Sequence, residues 1–197
     1  LGAGFQAALV NVLSDGSIQI THSGVEMGQG IHTKTAQVAA WALGKILGEE
    51  GDDDTDEGKG EMKRASSNLP GQLHYYPTAA ASAAAGVLLR HVVVSDTSTD
   101  KIPNISMTGG STTSESCCGA VQLACEELVR RLRPIKASVI AKRRVNAAAE
   151  SDDSSVAAVA AVNETVSWRD LIGAAAGSKI NLSAQRAWRR GVKPDLA

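Results

Sequence analysis

The chain has 197 residues, enough for one domain with its own core or for two small ones. Its 20 Lys and Arg stand against 21 Asp and Glu, a net charge of -1, so no nucleic-acid or membrane-surface partner is expected, since both favour a basic excess. Aromatics make up only 3%, with alanine in their place, so either the core is thin or the chain is a piece of something larger.

The first residues, from Leu1, lack the basic start and long apolar stretch of a signal peptide, and the missing Met again suggests a fragment. No run of about 18 apolar residues occurs, so no membrane-spanning helix is expected. Two β-rich runs follow, Ala8–Leu13 and Ser17–His22, on either side of "SDG", a hairpin signal in which Gly16 supplies backbone freedom. Val10 and Val12, then Ile18 and Ile20, alternate with polar neighbours, so one face is buried.

The glycine stretch "GVEMGQGIHTK" comes next, and after Gly30 the period changes. Ile31, Thr35, Val38, Ala39, Ala42, Leu43 and Ile46 recur at three and four, which predicts an amphipathic helix from about Gly30 to Leu47. From Glu49 to Gln72 acids, Gly and Ser dominate, as in a solvated insert. Asp52, Asp54 and Asp56 fail as a calcium loop, because Glu57 stands where the sharp turn needs Gly and Lys63 where a bidentate Glu belongs. Pro77–Arg90 is alanine-rich filler with the makings of a short helix, and residues 49–90 are expected to form a flexible insert.

Val92–Val94 read as a short buried strand, with Pro103 ending the extended stretch beyond it. A helix follows from about Ser114 to Leu132, with Val121, Ala124, Cys125, Leu128 and Leu132 as its apolar stripe and Pro134 as its stop. Cys117, Cys118 and Cys125 form no CxxC pair, and neighbouring cysteines are poor disulfide partners. Reduced, non-ligand thiols and a cytoplasmic location are the expectation. Residues 137–164 look like a second flexible insert, with Lys142–Arg144 a solvated loop rather than a nucleic-acid patch. Ser167 caps a helix over Ser167–Gly177 with Asp170 three residues on, and Lys179–Trp188 reads as a strand.

"EMGQG" and "TGGSTTSE" thus both stand at helix starts. Such a segment is either a tight turn or an anion site, where amides and small residues hold a phosphate. Neither is a P-loop or a dinucleotide fingerprint, and a nucleotide site would lack its lysine or acidic ribose partner.

"DGSIQITHSGVEMGQGIHTKTAQVAAWAL", "VSDTSTDKIPN", "TGGSTTSES" with its helix to "RRLRPIK", and "VSWRDLIGAAAGSKINLSA" resemble successive blocks of the molybdenum hydroxylases, the xanthine dehydrogenase and aldehyde oxidase family. They run in family order over more than half of the chain. The resemblance implies an α+β fold, part of a molybdopterin-binding domain, across residues 1–197. It implies an enzyme that oxidises purines (xanthine or hypoxanthine) or aldehydes with water as oxygen source. It further implies a cytoplasmic homodimer, with 2Fe-2S clusters and FAD elsewhere in the full-length chain. Position by position, Gly28, Gln29, Thr108, Gly110, Ser111 and Thr113 match residues that surround the Mo-molybdopterin, and none of them ligates the metal directly. A buried anion needs many donors without bulk, which suits small residues and hydroxyls.

The departures are specific. Met107 stands where many relatives have proline, and Gly109-Gly110 where many have Ala-Ala. The family's glutamate base lies in a Gly-Glu-Pro-Pro block that does not occur here, so no catalytic residue is assigned. Glu26 belongs to the pterin turn rather than to the base, and Asp15 and Asp170 suit a turn and a cap. The segment alone is therefore expected to be inactive. The alternative is a non-catalytic remnant acting through protein contacts.

Overall fold

The computed structural model describes residues 5–48, 84, 86, 88–102, 106–150 and 165–189. Strand β1 (Phe5–Val12) and strand β2 (Ile18–His22) form the expected hairpin, antiparallel with Val10 opposite Ile20. Its turn is built from Asp15, whose Oδ1 accepts from the Ser17 amide at 2.9 Å, and from Gly16 at φ +90. Helix α1 (Ile31–Gly48) follows the glycine stretch, and strand β3 (Val92–Val94) adds to β2 in parallel. Helix α2 (Thr113–Glu150), helix α3 (Trp168–Gly177) and strand β4 (Ser183–Arg189) complete the described elements. The sheet order is β3-β2-β1-β4, with β4 antiparallel to β1.

Both long helices lie on one face of the sheet. Ala8, Val10, Val12, Ile18 and Ile20 from the hairpin meet Ala39, Leu43 and Ile46 of α1 and Val121, Cys125, Leu128 and Leu132 of α2. Small residues let the layers approach closely. At Gly119 an added Cβ would stand 2.7 Å from the Trp188 ring, so α2 has room at this point only for a hydrogen. The other face carries polar pairs, among them Ser183 Oγ to Asn11 Oδ1 at 2.6 Å and Gln19 Nε2 to Ser95 Oγ at 2.7 Å. Helix α3 starts with Ser167 as its N-cap, accepting from the Asp170 amide at 3.2 Å, and Trp168 Nε1 donates to Gly16 O at 2.8 Å.

Three expectations need correction. Helix α2 does not stop at Pro134 but runs on to Glu150. Proline removes one helical hydrogen bond, yet Ile135, Val139 and Ile140 still pack on the core. Lys136 Nζ donates to Ile46 O at 2.6 Å, and Arg143 reaches Thr165 O at 3.0 Å and Asp170 Oδ2 at 2.9 Å. The insert expected over 137–164 is therefore helix as far as residue 150, and Arg143 is a helical residue rather than part of a loop; residues 151–164 lie outside the described set. The strand Val92–Val94 is also less buried than expected: it sits at the sheet edge, and Val93 is 57% exposed. Of residues 49–90, Ala84, Gly86, Leu88 and Leu89 are helical and Leu88 is buried. The acidic stretch and Pro103 lie outside the described residues.

Candidate functional site

The glycine stretch is a turn that satisfies itself. The Glu26 carboxylate accepts from the amides of Gly28 at 2.8 Å and Gly30 at 3.1 Å through Oε1, and from His32 at 3.5 Å through Oε2. Gln29 Oε1 accepts from the Met27 amide at 2.6 Å, while its Nε2 donates to Val25 O at 2.7 Å. Gly28 at φ +94 and Gly30 at φ +72 adopt backbone that L side chains avoid, and both positions face open space. Loss of water pushes Glu26 up, but the amides of Gly30, Gly28, His32 and Ile31 outweigh that and hold its carboxyl below the usual range. The Gly30 and His32 amides at the start of α1 thus face an internal anion, which favours the tight turn of the two readings of this segment.

The second corner joins the first. Thr108 Oγ1 accepts from the Val25 amide at 3.0 Å, a bond spanning 83 positions of sequence. Gly24 presses into the same junction, where an added Cβ would lie 2.9 Å from both Thr113 Cγ2 and Cys117 Sγ. Thr113 is buried, and its hydroxyl accepts from the Gly109 amide at 3.2 Å. Gly110 and Ser111 are exposed, at φ +63 and +57, and a side chain at Gly110 would meet nothing. Among the described residues, the amides of Gly110 and Ser111 donate to no partner. Beside them, Ser111 lines a cavity of about 550 Å³ between α1 and α2 together with Lys34, Trp41, Ser114 and Glu115. Gly28, Gln29 and Gly110 do not line it.

Behind the turn sit two imidazoles. His22 is fully buried, with Nε2 3.0 Å from His32 Nδ1, and its own Nδ1 has no partner among the described residues. Burial, reinforced by His32, pushes His22 down to about 4 against the weaker pull of Glu26. This pair, like the role of Glu26, went unread in the sequence; the signal was present as a polar residue at a buried strand position followed by His at the second position of α1. Cys117 and Cys125 are buried and Cys118 is half-buried, and burial lifts Cys117 to about 12 and Cys118 to about 11. Among the described residues no group of three metal-binding side chains occurs.

These corners fit a flat, polyanionic cofactor. The open glycine positions at 28, 30 and 110 admit close backbone approach, and the amides of Gly110 and Ser111, unpartnered among the described residues, supply donors without bulk. Gln29 and Thr113 are spent on their own loops and shape the corners.

Comparison with known proteins gives the family. The model of the molybdopterin cofactor-binding domain matches residues 2–67 and 73–196. The chain is 37% identical over 128 residues to xanthine dehydrogenase 2 of Arabidopsis thaliana, covering 65% of this chain and 6% of that protein. It is 30% identical over 179 residues to indole-3-acetaldehyde oxidase of Zea mays, covering 91% of this chain and 9% of that one. The chain therefore spans less than a tenth of the length of these relatives. Among solved structures, CO dehydrogenase from Oligotropha carboxidovorans has the same fold, with a TM-score of 0.58 at 15% identity over 95% of this chain and 18% of that one. Quinoline 2-oxidoreductase from Pseudomonas putida 86 does so with 0.55 at 18% identity, over 95% of this chain and 19% of that one. With an α+β architecture and a family match over nearly its whole length, the chain belongs to the molybdopterin cofactor-binding domain family of the molybdenum hydroxylases.

Proposed function

We propose that this chain forms one wall of a molybdopterin site in an oxidoreductase that hydroxylates a purine such as xanthine, or an aldehyde, with water as oxygen source. The observation that supports it is the bond between the Val25 amide and the Thr108 hydroxyl, which brings two small-residue corners into one junction. In this reading Gly28 and Gly110 give the cofactor its close approach, and the amides of Gly110 and Ser111 hold anionic oxygens. Gln29, Thr108 and Thr113 fix the loops around them. Bound molybdenum would supply the two-electron redox chemistry. The residues of this chain bind and orient; none is assigned a proton-transfer role.

The purine is preferred slightly over the aldehyde, because "DTSTDKIPN" leans towards the xanthine dehydrogenases. The reading extends to a full-length cytoplasmic homodimer with 2Fe-2S clusters and FAD in other parts, and to 1–197 as part of the molybdopterin-binding domain. A non-catalytic remnant is favoured by one observation, the self-satisfied turn at Glu26 and Gln29, which needs no ligand to hold its shape.

The test is molybdenum content of the purified full-length protein, followed by xanthine and an aromatic aldehyde as electron donors. Stoichiometric molybdenum with turnover of xanthine is expected; protein free of molybdenum after expression in a host that makes the cofactor would leave the remnant reading standing.

A further inference from the structure

The first turn of α1 is closed by a charge from within the chain. One Glu26 oxygen takes the amides of both Gly28 and Gly30, and the other faces the amide of His32. Of these, the Gly30 and His32 amides are donors that the N-terminus of α1 would otherwise offer to a ligand anion, while Gly28 lies in the turn before it. The same carboxylate stands four residues before Gly30 and folds the chain back over Gly28, leaving both glycine Cα atoms turned towards open space. Gln29 completes the closure by bridging Val25 and Met27. At the opposite corner Glu115 stands in the first turn of α2, yet the Gly110 and Ser111 amides are unclaimed among the described residues. The two corners therefore differ in whether a carboxylate fills the turn amides, although both are glycine turns at helix starts.

We propose that Glu26 is a positioning residue of the cofactor site. Its carboxylate sets the Gly28–Gly30 turn before any ligand arrives, and gives that corner to an uncharged, hydrogen-bonding part of the ligand while excluding an anion from it. The inference rests on the reading of this chain as a molybdopterin wall. Glu26 works through backbone, since its oxygens are occupied by the turn rather than pointed outward. Glutamine keeps one acceptor oxygen of the same reach and so preserves the Gly28 and Gly30 bonds. Alanine removes every acceptor, freeing both amides and the turn with them.

The experiment uses full-length protein prepared with and without molybdenum in the growth medium. Amide hydrogen exchange in the metal-free wild type comes first. Slow exchange at Gly28 and Gly30, despite their place ahead of the first helical turn, is expected; exchange at the rate of an open loop would overturn the proposal without any variant. Molybdenum content is then compared in wild type, Glu26→Gln and Glu26→Ala. Glu26→Gln should hold molybdenum within a factor of about two of wild type, while Glu26→Ala should lose about tenfold or more in cofactor affinity. Equal retention in all three removes the role of Glu26 and leaves the cofactor reading intact, whereas a wild type without molybdenum removes that reading. Should Glu26→Ala fail to fold, the wild-type exchange and the glutamine variant still decide.

Discussion

His22 is costly to ionise. It lies on β2 with no exposed surface, shares one close contact with His32, and has an unpartnered Nδ1 among the described residues. Its folded value of about 4 lies below the ordinary 6.5, first because of burial and then because of His32. The unfolded chain therefore binds the proton that the folded chain refuses. Stability is complete above the ordinary value and is lost as pH falls towards the folded one. Denaturant unfolding should show a loss of about 2 kcal/mol between pH 7 and pH 5, with a flatter slope in His22→Asn. An unchanged slope in that variant would place the titrating group elsewhere. The buried histidine illustrates what single residues conceal. Gly16, in "SDG", was legible because turn chemistry is local, and Ser167 because a cap is read within four positions. His22 and Gly24 were not legible, because their meaning comes from partners brought in by folding: His32 for the first, Thr113 and Cys117 for the second. Glu26 was readable as part of the turn, but not as the group that fills the amides of α1.

At the scale of elements, periodicity carried the two long helices and failed where one residue was given too much weight. The stripe from Ile31 to Ile46 reproduces the buried face of α1, and that from Val121 to Leu132 the first half of α2. Pro134 was read as a stop because it forfeits one hydrogen bond and crowds the preceding turn. Beyond it, packing by Ile135, Val139 and Ile140 and the reach of Lys136 to Ile46 O keep α2 in register with α1. The Lys136 ammonium sits on the last carbonyls of α1, where a positive charge is favoured. Lys136→Met keeps the apolar stem and removes the charge, so it should cost about 1 kcal/mol in urea unfolding and loosen the end of α1 in hydrogen exchange. Full retention of both would mean that packing alone carries α2 past the proline. The strand Val92–Val94 teaches the same lesson in reverse. Three β-branched residues name the conformation correctly, but burial depends on whether a neighbouring strand exists on both sides, and among the described residues β3 pairs with β2 alone.

For the molecule as a whole, the motif blocks led to the family although aromatic content and charge were almost uninformative. "EMGQG" with "HTK" and "DTSTDKIPN" are specific motifs, and the family match over residues 2–67 and 73–196 agrees. The arrangement in space was beyond the sequence. Nothing in the order of residues says that β4, at the far end of the described chain, pairs with β1, or that Thr108 closes on Val25. The low aromatic content suits this arrangement: helices cover one sheet face, alanine and glycine permit close layers, and Trp188 packs directly on Gly119. Anomalous diffraction at the molybdenum edge from crystals of the full-length protein tests the central claim most directly. The account predicts one molybdenum peak per protomer, lost below the molybdenum edge, in the space faced by both the Gly28–Gln29 turn and the Gly110–Ser111 corner. A molybdenum peak remote from either corner, with both turned to solvent, would contradict it.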